Sequence, residues 1–174
     1  GYIGVAGKTY GFASMAGADC DAALIHDAKP NKRLLGPMAY FSAAITNPLP
    51  EVSRFTLTID GETIGREGLG ILLVNFSKIQ FDISVTHENE PRDGEFEVVV
   101  LKAENAFGLI PAVVAGLLDR GGDFPDRSDA LETHRGSKIE VSADPPMQVQ
   151  YDGEATELTT PFSAHILKGA TKLF

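Results

Sequence analysis

The sequence is short of cysteine, of positive charge and of long apolar runs, and each shortage removes a class of protein. A single cysteine, Cys20, leaves no partner for an intrachain disulfide. The four histidines, His26, His87, His134 and His165, lack the close spacing of a zinc site. Both features suit a reducing cytoplasm. Fifteen basic residues against 24 acidic ones give a formal charge of −9, which repels a phosphate backbone and argues against a nucleic-acid partner. The small basic cluster Lys29, Lys32 and Arg33 is the local exception. No apolar run reaches the length of about 18 residues that a membrane-spanning helix needs. No secretory leader opens the sequence, and without an initiator Met, Gly1 reads as the start of an excised segment.

Chemical signatures are missing as well. There is no Walker-type phosphate loop, no strand-linked GxGxxG and no GxSxG nucleophile elbow, so neither nucleotide binding nor serine hydrolysis is argued from these residues alone. A hydrolase using two of the chain's carboxylates needs them a few ångströms apart across a cleft, which a sequence cannot supply.

What is present is an ordinary globular composition, 43% hydrophobic and 22% charged with 18 Gly and 10 Pro. At 174 residues the chain fits one domain over 1–174, able to bury roughly two-thirds of its unfolded surface. Short β-branched or alternating runs are punctuated by Gly, Asp and Pro. Phe55–Ile59 alternates apolar and polar residues and meets Asp60-Gly61, a tight hairpin signal; Asp152-Gly153 is a second. Further strands are expected at Leu69–Phe76, Phe96–Leu101, Lys138–Val141, Met147–Tyr151 and Phe162–Leu167. The predicted fold is therefore mainly β, an antiparallel β-sandwich or distorted barrel, with two short helices. One helix is expected at Pro37–Thr46, with Pro in its first turn and Asn47-Pro48 as its stop. The other spans Phe107–Leu118, apolar nearly all round and so suited to burial. Asp119–Arg135, rich in Gly, Asp and Arg, reads as a loop or edge excursion. The triplet Asp-Gly-Glu occurs at Asp60, Asp93 and Asp152, and turn chemistry accounts for each.

The order of these features resembles the C-terminal half of bacterial diacylglycerol kinases and their relatives, the sphingosine kinases. The likeness starts at Phe12-Ala13-Ser14-Met15-Ala16-Gly17-Ala18-Asp19-Cys20-Asp21-Ala22 and continues through Lys32-Arg33-Leu34-Leu35-Gly36-Pro37-Met38-Ala39-Tyr40. Ile59-Asp60-Gly61-Glu62, the Leu-Leu-Val-Asn run ending at Asn75, Asp93-Gly94-Glu95-Phe96 and Val149-Gln150-Tyr151-Asp152-Gly153-Glu154 complete it.

The resemblance implies a two-domain, cytoplasmic kinase that acts peripherally at the membrane surface and passes the γ-phosphoryl of ATP to a lipid hydroxyl, with Mg2+ as the metal. The nucleotide-binding N-terminal domain with its Gly-Gly-Asp-Gly-Thr motif is missing from these residues, so the fragment alone is expected to be inactive. A homodimer is left open. On the same resemblance Glu154 is the base that takes the lipid proton, Asp152 and Asp93 belong to the magnesium network, Arg33 contacts ATP phosphate, and Asp21, or Asp19, contacts the lipid head group. Phe76-Ser77-Lys78 follows Asn75 where the family is often Gly-rich, a departure that bears on the shape of the acceptor pocket; Ala39 stands where sphingosine kinases carry a second arginine, so diacylglycerol or another neutral lipid is the expected substrate. The competing reading is a non-catalytic β-sandwich binding module.

Overall fold

The computed structural model of the chain describes residues 1–13, 15–19, 52–75, 78–79, 83–84, 94–102, 131–152 and 154–167. The expected helices at 37–46 and 107–118 lie outside them. The strands are β1 (Tyr2–Val5), β2 (Lys8–Gly11), β3 (Met15–Asp19), β4 (Ser53–Ile59), β5 (Glu62–Gly68), β6 (Gly70–Val74) and β7 (Lys78–Ile79). There follow β8 (Ile83–Ser84), β9 (Phe96–Leu101), β10 (Leu131–Gly136), β11 (Lys138–Asp144), β12 (Gln148–Tyr151), β13 (Glu154–Thr159) and β14 (Phe162–His165). They form two six-stranded sheets, in the orders β2-β1-β14-β11-β4-β5 and β10-β9-β6-β3-β12-β13, plus the small pair β7-β8. Every pairing is antiparallel.

The core lies between the two large sheets and follows from alternation. In the first sheet Phe55 and Leu57, Ile139 and Val141, Phe162 and Ala164, and Ile3 and Val5 point inward. They meet Ala16, Ala18, Ile71, Leu73, Phe96, Val98, Val100 and Val149 of the second. Thr56, Glu140 and other intervening residues of the first sheet face outward and are exposed. The second sheet is covered on both faces at β9, where Val98, Val99 and Val100 are all fully buried. That explains why Phe96–Leu101 reads as a continuous apolar run while Phe55–Ile59 alternates.

One expectation is sharpened. The Asp119–Arg135 stretch, read as a loop or edge excursion, runs into an edge strand: Leu131–Gly136 is β10, at the edge of the second sheet. Its polar residues concealed it. Glu132 and His134 stand opposite Val100 and Val98 in register and so share the inner face, where they meet Arg66 of β5 across the open side of the sandwich. Glu132 takes Arg66 Nε at 2.6 Å and pairs with His134 Nε2 at 2.7 Å, with Lys102 Nζ at 3.7 Å. These charges do for this side what the stacked rings of Tyr10 and Tyr151, 5.5 Å apart, do for the other. β5 was likewise hidden, since Glu62–Gly68 is polar and glycine-containing at a sheet edge.

The chain passes between the sheets at narrow corners. At the β5–β6 corner Leu69 N–H donates to the Leu101 carbonyl at 2.7 Å. A Cβ on Gly68 would stand 2.3 Å from that same carbonyl oxygen, so the close approach requires glycine. At the β11–β12 corner Ser53 Oγ donates to the Pro145 carbonyl at 2.9 Å. Met147 N–H donates to Thr160 Oγ1 at 3.1 Å, and Thr160 N–H returns a bond to the Met147 carbonyl at 2.9 Å. Asp144-Pro145 and Thr160-Pro161, at these corners, are cis.

Two measurements check this picture. Gly68→Ala forces backbone apart at the β5–β6 corner and should lower unfolding free energy by about 1–3 kcal/mol in urea denaturation; an unchanged midpoint would show that the corner is slack. For Glu132, burial pushes the pKa up, but the Arg66 and His134 hydrogen bonds and charges outweigh it, and the carboxyl sits below its usual value of 4.5. Its ionised form therefore favours folding fully above pH 4.5, and that contribution is lost as pH falls through the lower folded-state value. Glu132→Gln should lower stability at pH 7 and make the acid limb of the stability profile shallower.

Candidate functional site

Three hairpins are built on the same turn. Val5 faces Lys8, Ile59 faces Glu62, and Tyr151 faces Glu154, each across two residues. The first turn residue has positive φ in every case, 49° at Ala6, 48° at Asp60 and 48° at Asp152. Aspartate tolerates this left-handed conformation better than most side chains, and Gly7 (φ 75°) and Gly61 (φ 97°) accept it at no steric cost. The two Asp-Gly signals were legible in the sequence; Ala6-Gly7 was not, because alanine is an unusual residue at that position.

Asp60 and Asp152 do more than turn the chain. The Asp60 carboxylate accepts N–H bonds from Ser137 (3.1 Å) and Lys138 (2.8 Å) and the Ser137 hydroxyl (2.9 Å), at the corner where β10 leads into β11. The Lys138 N–H bond is the main reason its pKa is lowered; burial opposes this weakly, and the Ser137 bonds add to it. Asp152 reaches the other sheet change. Its Oδ2 accepts the Ala13 N–H at 2.8 Å, its Oδ1 accepts the Met15 N–H at 3.2 Å, and its own N–H donates to the Met15 carbonyl at 2.8 Å. Asn75, just past β6, donates its side-chain N–H to the Ala13 carbonyl at 2.9 Å.

These contacts gather at one end of the second sheet. Met15 pairs with Val74, Ala16 with Tyr151 and Glu97 with Val74, so the start of β3, the ends of β6 and β12 and the start of β9 lie together. Phe12 and Phe96 stack there with centroids 5.5 Å apart. Gly1 N–H donates to the Phe12 carbonyl at 2.9 Å. Glu154, the first residue of β13, is exposed beside the Asp152 turn.

Of the candidate residues named from the sequence, Glu154 and Asp152 are therefore neighbours on one turn. Asp93, Asp21 and Arg33 lie outside the described residues. Gly94, which follows Asp93, has φ 83° and leads into β9 at this same end of the sheet. β3 runs the opposite way: Asp19, at its far end, is four residues beyond Met15, about 13 Å along a strand. Among the described residues no group of three or more His, Cys, Asp or Glu side chains stands ready to hold a metal ion. Magnesium does not require such a group, since one or two carboxylates, phosphate oxygens and water serve it. Asp152 is one such carboxylate, fixed in place by the Ala13 and Met15 N–H groups. That Asp152 meets the Ala13 and Met15 amides, and Asn75 the Ala13 carbonyl, was not legible in the sequence, because those contacts join segments more than 60 residues apart.

Comparison with known proteins bears on the fold and the family. The family pattern described as the YegS C-terminal NAD kinase beta sandwich-like domain matches residues 14–174. A Staphylococcus aureus (strain Newman) protein named "Putative lipid kinase" is 25% identical over 144 residues, covering 82% of this chain and 46% of its own length. The chain thus spans about half the length of the curated relatives it matches. Among solved structures, one titled as a putative diacylglycerol kinase from Bacillus anthracis superposes with a TM-score of 0.71 at 19% identity, over 97% of this chain and 53% of that one. Another, titled as a diacylglycerol kinase from the same organism, gives 0.58 at 13% identity, over 97% and 50%. At these identities the structural likeness speaks for the fold.

Proposed function

The chain belongs to the YegS C-terminal NAD kinase beta sandwich-like domain family, and on that premise we propose that it is the substrate-side domain of a lipid kinase that moves the γ-phosphoryl of ATP to the hydroxyl of a neutral lipid such as diacylglycerol. The observation that carries this reading is the turn at the sheet end, where Glu154 stands exposed beside an Asp152 fixed by backbone N–H groups. Phosphoryl transfer asks little covalent chemistry of the protein; it asks for a positioned hydroxyl, charge neutralisation and a proton acceptor. Glu154 supplies the acceptor, taking the proton of the attacking lipid hydroxyl at its carboxylate. Magnesium would neutralise charge on the transferring phosphoryl group. In this reading Asp93 and Asp152 would hold the ion. Arg33 contacts the nucleotide phosphates, and Asp21 the lipid head group. The nucleotide is held chiefly by a domain outside these residues, which contain no phosphate-cradling loop. No helix among the described residues is long and apolar enough to cross a membrane, and the proposed kinase meets its lipid peripherally from the cytoplasm.

The three Asp-Gly-Glu triplets provide a controlled test. In a protein carrying the nucleotide-binding half, with magnesium, ATP and diacylglycerol, Glu154→Gln should reduce turnover by about 10²–10⁴-fold. Glu62→Gln changes a residue on the β5 edge, and Glu95→Gln one that pairs with Arg135 at 3.4 Å; both should leave turnover near wild type. Equal, wild-type turnover in all three would refute the assignment and favour a non-catalytic binding module.

A further inference from the structure

Asp152 is the only aspartate among the described residues seen to clamp the chain where β2 gives way to β3, and it does so from within the turn that presents Glu154. Three strand ends meet in this arrangement. β12 ends at Tyr151, just before Asp152; β3 begins at Met15; and β6 ends just before Asn75, whose amide holds the Ala13 carbonyl. Ala13 is thus held on both sides: its N–H donates to Asp152 and its C=O accepts from Asn75. Such bonds to an ionised acceptor are stronger than neutral ones and directional. A two-residue hairpin turn is otherwise joined to the sheet only through its own two strands, and β13 is an edge strand with a register irregularity between Gln148 and Gln150 on its partner. The turn therefore depends on its clamp for a fixed position relative to β3.

We propose that Asp152 and Asn75 form a latch that positions Glu154, with Asp152 and Asn75 acting as positioning residues through the backbone of Ala13 and Met15. The latch joins the turn carrying the base to the strand that leads toward Asp21. Its catalytic consequence rests on the lipid-kinase reading, whereas the latch itself rests on the geometry alone. Asn75 separates the two ideas, because its side-chain amide holds a carbonyl and has been given no part in the chemistry.

The test uses the whole protein and the variants Asp152→Asn, Asn75→Ala and their combination. Amide exchange at Ala13 and Met15 should accelerate about tenfold or more in Asp152→Asn, the loss expected for a hydrogen bond to a charged acceptor, while Val98–Val100 in the core stay protected. Turnover should fall about 10-fold to 100-fold in either single variant, as expected when a reacting group is displaced. In Asn75→Ala the Michaelis constant for ATP and the magnesium midpoint should not move. The double variant should lose less than the product of the two single losses, the mark of one shared device. Unchanged exchange at Ala13 and Met15 overturns the latch even if Glu154→Gln is inactive; so do wild-type turnover in Asn75→Ala and losses that multiply. A Glu154→Gln protein with full turnover overturns the base assignment instead, while accelerated exchange would still establish the latch as structure.

Discussion

Backbone groups at the sheet corners govern this structure. A chain that repeatedly leaves one sheet for the other takes its N–H and C=O groups out of both ladders at each passage, and a polar backbone group without a partner costs about as much as a lost hydrogen bond. At every short passage described, a specific donor or acceptor meets that need. The Leu101 carbonyl does so beside Gly68, Thr160 and Ser53 around Pro145 and Met147, Asp60 at Ser137, and Asp152 with Asn75 at Ala13. Removing any one leaves the apolar layers intact but loosens how the sheets are held to each other. The core gives the sandwich its cohesion, and the corners give it one geometry.

The same requirement explains why a catalytic proposal and a structural one converge on Asp152. An aspartate at the left-handed position of a tight turn presents its carboxylate close to the backbone, where it can accept two N–H groups from a neighbouring segment. Asp60 shows the same device at the corner between β10 and β11. The Asp152 turn differs in its neighbours: its carboxylate holds Ala13 and Met15, and Asn75 holds the carbonyl of that same Ala13. A fixed scaffold beside an exposed carboxylate is what proton transfer to a positioned group demands, since a small displacement of the base costs much of the rate.

The sides of the sandwich are closed by unlike means, with different consequences for solution behaviour. The tyrosine pair closes one side by ring stacking, without an ion pair. The Glu132 cluster on the other depends on an ionised carboxylate, only 22% exposed, facing an arginine, a histidine and a lysine. Acid therefore weakens the β5–β10 side first.

Much of the strand content was legible in the sequence because alternation and apolar runs follow directly from which faces are covered. Phe55–Ile59 and Phe96–Leu101 appear as expected, and Asp60-Gly61 and Asp152-Gly153 mark real two-residue turns. β5 and β10 escaped notice because a strand at an edge can carry polar residues inward, provided charges across the gap neutralise them, as Arg66 and Glu132 do. The sequence by itself determined the β class, the turn chemistry and the family likeness of the Asp-Gly-Glu triplets, since each depends on residues close along the chain. Only the tertiary structure decided which aspartate clamps which corner and that Asp152, Ala13 and Asn75 share one end of a sheet. Those pairings join residues 62 and 139 positions apart, and nothing local to any of them encodes the partner.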